Sequence, residues 1–157
     1  MTKIIFLVVL ILINAGVSAH ADSDEGYKHY LKGNYDKALI IWKKEIDQGK
    51  KEAFYNIGLL YFFGKGVEKN LPLAFDYCKK AAFRGSARAQ NNLAYMFMEG
   101  LGTKKDLISA YAWSKIAIEN GYKSHKIRDN VSMHLTPAMQ YDAEIFILKL
   151  KKGIYND

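Results

Sequence analysis

Apolar residues recur along this chain at the intervals of three and four that mark one face of a helix. Over residues 51–63, Ala53, Ile57, Leu60 and Tyr61 keep that spacing and predict one amphipathic helix. Gly64-Lys65-Gly66 closes it, because a helix exit needs a left-handed residue and glycine supplies one without a Cβ penalty. Asn70 reads as the N-cap of a second helix, with Pro72 in its first turn. That helix carries Leu73, Phe75, Tyr77 and Ala81 and stops at Gly85. The scheme repeats as a helix over 87–98, a Gly100/Gly102 loop, an Asp106 cap and a helix over 107–120. A shorter pair, 26–32 and 35–48, precedes them across a tight Gly33-Asn34 turn. Residues 124–135 read as a further helix, and Thr136-Pro137 starts a last one over 137–152. Ala138, Tyr141, Ile145 and Leu148 are expected inward on it, with Phe146 a further candidate, and its outer face is expected to be polar.

These blocks are copies. Gly49, Gly85 and Gly121 stand at a constant interval, shared by Ala38, Ala74 and Ala110, by Lys43, Lys79 and Lys115, and by Asn34, Asn70 and Asp106. Between the two complete units the same offset joins Gly64 with Gly100, Gly66 with Gly102, Ala53 with Ala89, Asn56 with Asn92 and Ala81 with Ala117. A fixed period in the thirties is the mark of stacked helix pairs, each burying its face against the next. The expected fold is therefore all-α: a helical repeat solenoid of about three helix pairs plus capping helices. Its units are 22–49, 50–85, 86–121 and a C-terminal cap over 122–157. Small residues, Gly58 or Ala94 on one helix and Ala74 or Ala110 on the other, mark where each pair approaches closest.

The repeat resembles the Sel-1-like repeat (SLR), a relative of the tetratricopeptide repeats. Ala53, Ile57, Gly58, Tyr61, Gly64, Gly66, Val67, Ala74, Lys79, Ala81, Ala82 and Gly85 follow its pattern. So do Ala89, Leu93, Ala94, Gly100, Gly102, Ala110, Trp113, Lys115, Ala117 and Gly121, while Phe97, Thr103 and Ile118 depart from it. The first unit, with Gly26, Gly33, Tyr35 and Ala38, looks more like a tetratricopeptide motif. The stretch from Arg128-Asp129 through Leu135-Thr136-Pro137 to Gln140 resembles the terminal cap of such proteins. The resemblance implies a fold and a binding mode rather than a reaction. In related solenoids the concave surface holds a segment of a partner protein.

Residues 1–21 stand outside the repeat. Lys3 precedes an apolar run over 4–13, Asn14-Ala15-Gly16 breaks it, and Val17-Ser18-Ala19-His20-Ala21 puts small residues at signal-peptidase spacing. This is the layout of a secretory signal peptide, cut after Ala21 or, nearly as well, after Ala19. A run of about ten residues falls well short of the roughly twenty that a membrane span needs. The expected location is the periplasm or the outside of the cell, with no stable membrane insertion after cleavage.

Composition narrows the chemistry. With 50% hydrophobic residues and 2 Pro among 157, a single helical domain is well supplied with core. A single cysteine excludes an internal disulfide framework and a multi-thiolate metal site. Cys78 replaces Trp42 and Ser114 of the neighbouring units and reads as a buried, inert thiol. His29 takes a packing position, while His125 and His134 point to opposite sides of a helix and lack zinc-pair spacing. The glycine loops follow helices rather than strands, so they are turns and not phosphate cradles, and no G-x-S-x-G elbow occurs. No catalytic, cofactor or metal residues are assigned.

The net charge of +7 raises the question of a polyanion. Lys43-Lys44, Lys79-Lys80 and Lys115 stack at one helical position, with Lys50-Lys51, Lys104-Lys105 and Lys151-Lys152 added to them. On a repeat map this reads as a solvated outer ridge, with a polyanion-binding ridge as the alternative, and no nucleic-acid partner is expected. The face left for recognition is the inner one: Glu52, Tyr55, Leu59 and Phe62, then Arg88, Asn91, Tyr95 and Met98, with Tyr27 and Tyr30 leading in. Tyr, Phe, Met and Arg together are the composition of an interface, and inter-repeat packing is the competing role for the same side chains. The function expected is an exported, non-enzymatic protein–protein interaction scaffold. The alternatives are a cell-wall or beta-lactam-related hydrolase, by analogy with cysteine-rich SLR relatives whose cysteine pairs this chain lacks, and a secreted factor engaging host proteins. Oligomeric state stays open.

Overall fold

A computed structural model describes residues 25–155, so the leader assigned to residues 1–21 lies outside them. Eight helices occur among the described residues, and no strand. They are α1 (Glu25–Leu31), α2 (Tyr35–Asp47), α3 (Lys51–Phe63), α4 (Leu71–Phe83), α5 (Ala87–Glu99), α6 (Leu107–Glu119), α7 (Lys126–Ser132) and α8 (Pro137–Tyr155). Helices α1 and α2, α3 and α4, and α5 and α6 form hairpins. Each hairpin rests on the next through α2 on α3 and α4 on α5, and α6 receives both α7 and α8. This is the all-α repeat stack that the period predicts.

Local chemistry explains the helix ends. The Asn70 side chain accepts from the Leu73 N–H at 2.9 Å. Asp106 accepts from the Ile108 and Ser109 N–H groups at 3.0 and 3.1 Å, and from the Ser109 hydroxyl at 2.6 Å. These bonds satisfy donors that the first turn of a helix leaves orphaned. Thr136 caps α8 in the same way, accepting from the Met139 N–H at 3.3 Å. At the other ends, Gly64 and Gly100 stop α3 and α5 in the left-handed conformation, with φ of 68° and 71°. The close approach inside a hairpin falls at Gly58, where an added Cβ would stand 3.3 Å from both the Ala74 carbonyl oxygen and the Tyr77 Cβ.

The core divides in two. Ala38, Trp42, Ala53, Ile57 and Leu60 form a small cluster at the N-terminal end. A larger one runs from Phe54 and Ala74 through Leu93, Trp113 and Ile116 to Ile147 and Leu150. Cys78 lies inside it, as the sequence reading expects, with its Sγ–H donating to the Ala89 carbonyl at 3.2 Å.

Helix α8 corrects the sequence reading. The buried face is Ala143, Ile147 and Leu150, with Met139 and Phe146 packed beside them. Tyr141 and Leu148, expected inward, are 68% and 58% exposed, and Ala138 and Ile145 are exposed too. The helix has apolar residues on two opposite sides, and spacing alone cannot rank them. Contacts distant in sequence do: Ala143 lets α8 come close, while α6 holds it by Lys115 on Glu144 at 2.6 Å and Glu119 on Lys151 at 2.7 Å. The outer face of the cap is therefore apolar along one stripe, not polar throughout.

Candidate partner-binding face

The first helices of the hairpins, α1, α3 and α5, carry the residues predicted to line the inner face. Their side chains fall into two groups. In the first, Tyr27 and Tyr30 of α1 stack with ring centroids 5.9 Å apart. Lys65, from the loop that follows α3, crosses to them: its ammonium donates to the Tyr30 hydroxyl at 2.7 Å and lies 4.5 Å from that ring's centroid. The same ammonium stands over Tyr35 at 5.5 Å and Phe63 at 5.7 Å, so several aromatic faces share one cation. Partial burial alone would lower the Lys65 pKa, but the Tyr30 bond and the neighbouring tyrosines outweigh it and raise the value.

The second group spans α3 and α5. Arg88 lies 2.8 Å from the Glu52 carboxylate and 5.3 Å over the Tyr55 ring. Tyr55 accepts from the Asn92 amide at 3.3 Å. Burial pushes the Tyr55 hydroxyl far above the ordinary tyrosine range, and the opposing pull of Arg88 does not offset it. Two of the predicted lining residues are thus beneath the face rather than on it: Tyr55 and Asn91 are 6% and 2% exposed. The Asn91 Nδ2 is buried there without a hydrogen-bond partner among the described residues. Glu52, Leu59, Phe62, Arg88, Tyr95 and Met98 are half-buried, as are Tyr27 and Tyr30, and remain available at the surface. Leu59, Phe62, Tyr95 and Met98 also rest on the larger core cluster, so each has one side committed to packing.

Three residues on or beneath this face were missed from sequence. Lys65 has no counterpart one period on, where Leu101 stands, so the repeat map did not flag it. Asn92 does recur with Asn56 and could have been found that way. Tyr122, 8% exposed and close enough to Tyr55 to act on its hydroxyl, follows the last periodic glycine. The lysines of the outer ridge are elsewhere: Lys43, Lys44, Lys79 and Lys80 are exposed on α2 and α4, while Lys115 is engaged by Glu144. Chemically, the inner face offers aromatic and thioether surface, one ion pair and amide groups. That set suits recognition by shape and hydrogen bonding.

The Sel1 repeat model matches residues 51–86 and 87–122, one residue out of phase with the units read from the glycines. Two solved structures are similar. One is a protective antigen present in uropathogenic Escherichia coli strains, which displays an SLR fold. It is 27% identical, with a TM-score of 0.77 over 82% of this chain and 29% of its own. The other is a Sel1 repeat protein from Oxalobacter formigenes, 35% identical, with a TM-score of 0.56 over 60% of this chain and 38% of its own. The present chain thus spans well under half the length of either. Sel1 repeats are generally protein-interaction scaffolds without enzymatic activity.

Proposed function

Starting from a chain that carries two Sel1 repeats in an SLR-type helical stack, we propose that it is an exported, non-enzymatic scaffold that holds a segment of a partner protein on its inner face. The observation that carries this reading is that Leu59 and Phe62 of α3 and Tyr95 and Met98 of α5 stay half-buried at the surface, together with the stacked Tyr27 and Tyr30 of α1 and the Glu52–Arg88 pair that joins α3 to α5. Such a set gives an extended or helical segment apolar anchors together with polar groups. Export rests on the leader-like residues 1–21, and no helix among the described residues is long and apolar enough to cross a membrane. One neighbour is a protective antigen, which supports an exported role and makes a host-facing factor the second reading.

Site-specific photo-crosslinking tests the face. A photoreactive phenylalanine in place of Phe62 or Tyr95 is expected to capture a partner from the envelope or secreted fraction, and the same group in place of Lys79 is not. Capture from the Lys79 position alone would overturn the inner-face reading. Fractionation tests export separately: full-length protein retained in the cytoplasm would refute it.

A further inference from the structure

The exposed stripe on α8 has an order that solvent does not require. Ala138, Tyr141, Ile145, Leu148 and Lys152 follow one another at intervals of three, four, three and four, all exposed. That alternation is the narrow seam of a two-helix coiled coil rather than the broad face by which a helix sits on a core. The broad face of α8 is already used against the stack. Tyr141 and Leu148 are 68% and 58% exposed, too open for residues serving only the fold of one chain.

Charge says what covers the stripe. Asp142 and Lys149 flank the seam on one side, seven positions apart, both exposed and opposite in sign. When two copies of a helix pair antiparallel, the same flank of each meets, so Asp142 of one copy faces Lys149 of the other, and two-fold symmetry makes the contact twice. A parallel pair would set Asp142 against Pro137 instead. On the other flank Glu144 and Lys151 are neutralised within the chain by Lys115 and Glu119, so it presents no net repulsion. An anionic bilayer fits less well, because Asp142 borders the same stripe.

We propose that this chain forms a two-fold dimer through an antiparallel pairing of α8. The seam covers only about three turns, so the association is weak and concentration-dependent, of the transient class. This reading is independent of the inner face, which lies on α1, α3 and α5.

Sedimentation equilibrium on the purified chain is the test, with thermal melts as the check on folding. The wild type is expected to show a monomer–dimer equilibrium. Ile145→Asp should weaken it by at least about tenfold while leaving Tm nearly unchanged, since that side chain is outside the core. Asp142→Lys and Lys149→Asp should each weaken it, the double swap should restore it, and a mixture of the two single variants should form heterodimers. A monomer at every concentration, a dimer indifferent to Ile145→Asp, or swaps that fail to rescue one another would overturn the proposal. So would a monomer that binds anionic phosphatidylglycerol vesicles through Ile145.

Discussion

Gly102 shows how tightly one residue can be specified. Its φ is +72°, and a Cβ there would run into the Leu71 carbonyl group and the Pro72 nitrogen at the start of α4. Gly121 has a similar backbone, φ +93°, but nothing within 4 Å of the same position. Alanine at Gly121 should therefore cost only the conformational penalty, about 1–2 kcal/mol, and alanine at Gly102 that penalty plus a backbone clash, about 2–4 kcal/mol. Urea titrations of the two variants decide it, and equal losses would contradict the packing described. Buried acids give a second expectation at this scale. Burial raises the Cys78 thiol and the hydroxyls of Tyr55, Tyr95 and Tyr122, with Glu99 adding to it at Tyr95 and Arg88 only partly opposing it at Tyr55. The unfolded chain releases these protons at the ordinary values of 9.0 and 10.0, while the folded chain retains them. More protons bound to the folded state mean that stability falls as pH rises. Tm should be flat in this respect between about pH 6 and 8 and decline from about pH 9 upward. A decline that begins only on acidification would count against it.

Helix ends and helix faces were unequally legible at the level of elements. Asp106 satisfies two backbone donors of α6 and receives the Ser109 hydroxyl, whereas Asn70 satisfies one donor of α4. Asp106→Ala should cost about 1–2 kcal/mol and Asn70→Ala about 1 kcal/mol, compared by thermal melts at neutral pH. The reverse order would mean that the hydroxyl bond adds nothing. Such caps could be read in advance because they depend on neighbours two or three positions away, and the repeat period supplied each twice. The face of α8 could not, because Ala143 and the Lys115–Glu144 bridge matter only once α6 is in place. The inner face shows the same division. Periodicity makes Glu52 and Arg88 equivalent positions of successive units, and the two are ion-paired, but depth depends on how closely hairpins stack. Arg88 over its ring and Tyr122 nearby close Tyr55 off, and no spacing rule records that.

Across the whole molecule, contacts run from each hairpin to its neighbour, and stability in such a stack is a sum of unit and interface contributions. The two ends are unequal. The N-terminal cluster has Trp42 and four smaller apolar residues at its centre, and α1 is a helix of 7 residues whose Gly26 lies on the Trp42 ring. The larger cluster gathers side chains from α3 to α8 around Trp113. Only Ile46, Tyr61 and Tyr77 pack on both clusters among the described residues. Opening the first hairpin thus exposes a small core and leaves every buried member of the larger one in place, taking only Ile46 from its border. Native-state hydrogen exchange should find the amides of α1 and α2 opening at a free energy at least about 1–2 kcal/mol below those of α5 and α6. Trp42→Ala, which removes the largest side chain of the end cluster, should cost about 3–5 kcal/mol locally and widen that gap. Protection in α6 should stay close to that of the wild type, because Trp113 and its neighbours are untouched. A uniform loss of protection from α1 to α8 would show instead that the three shared side chains couple the two clusters into one cooperative unit.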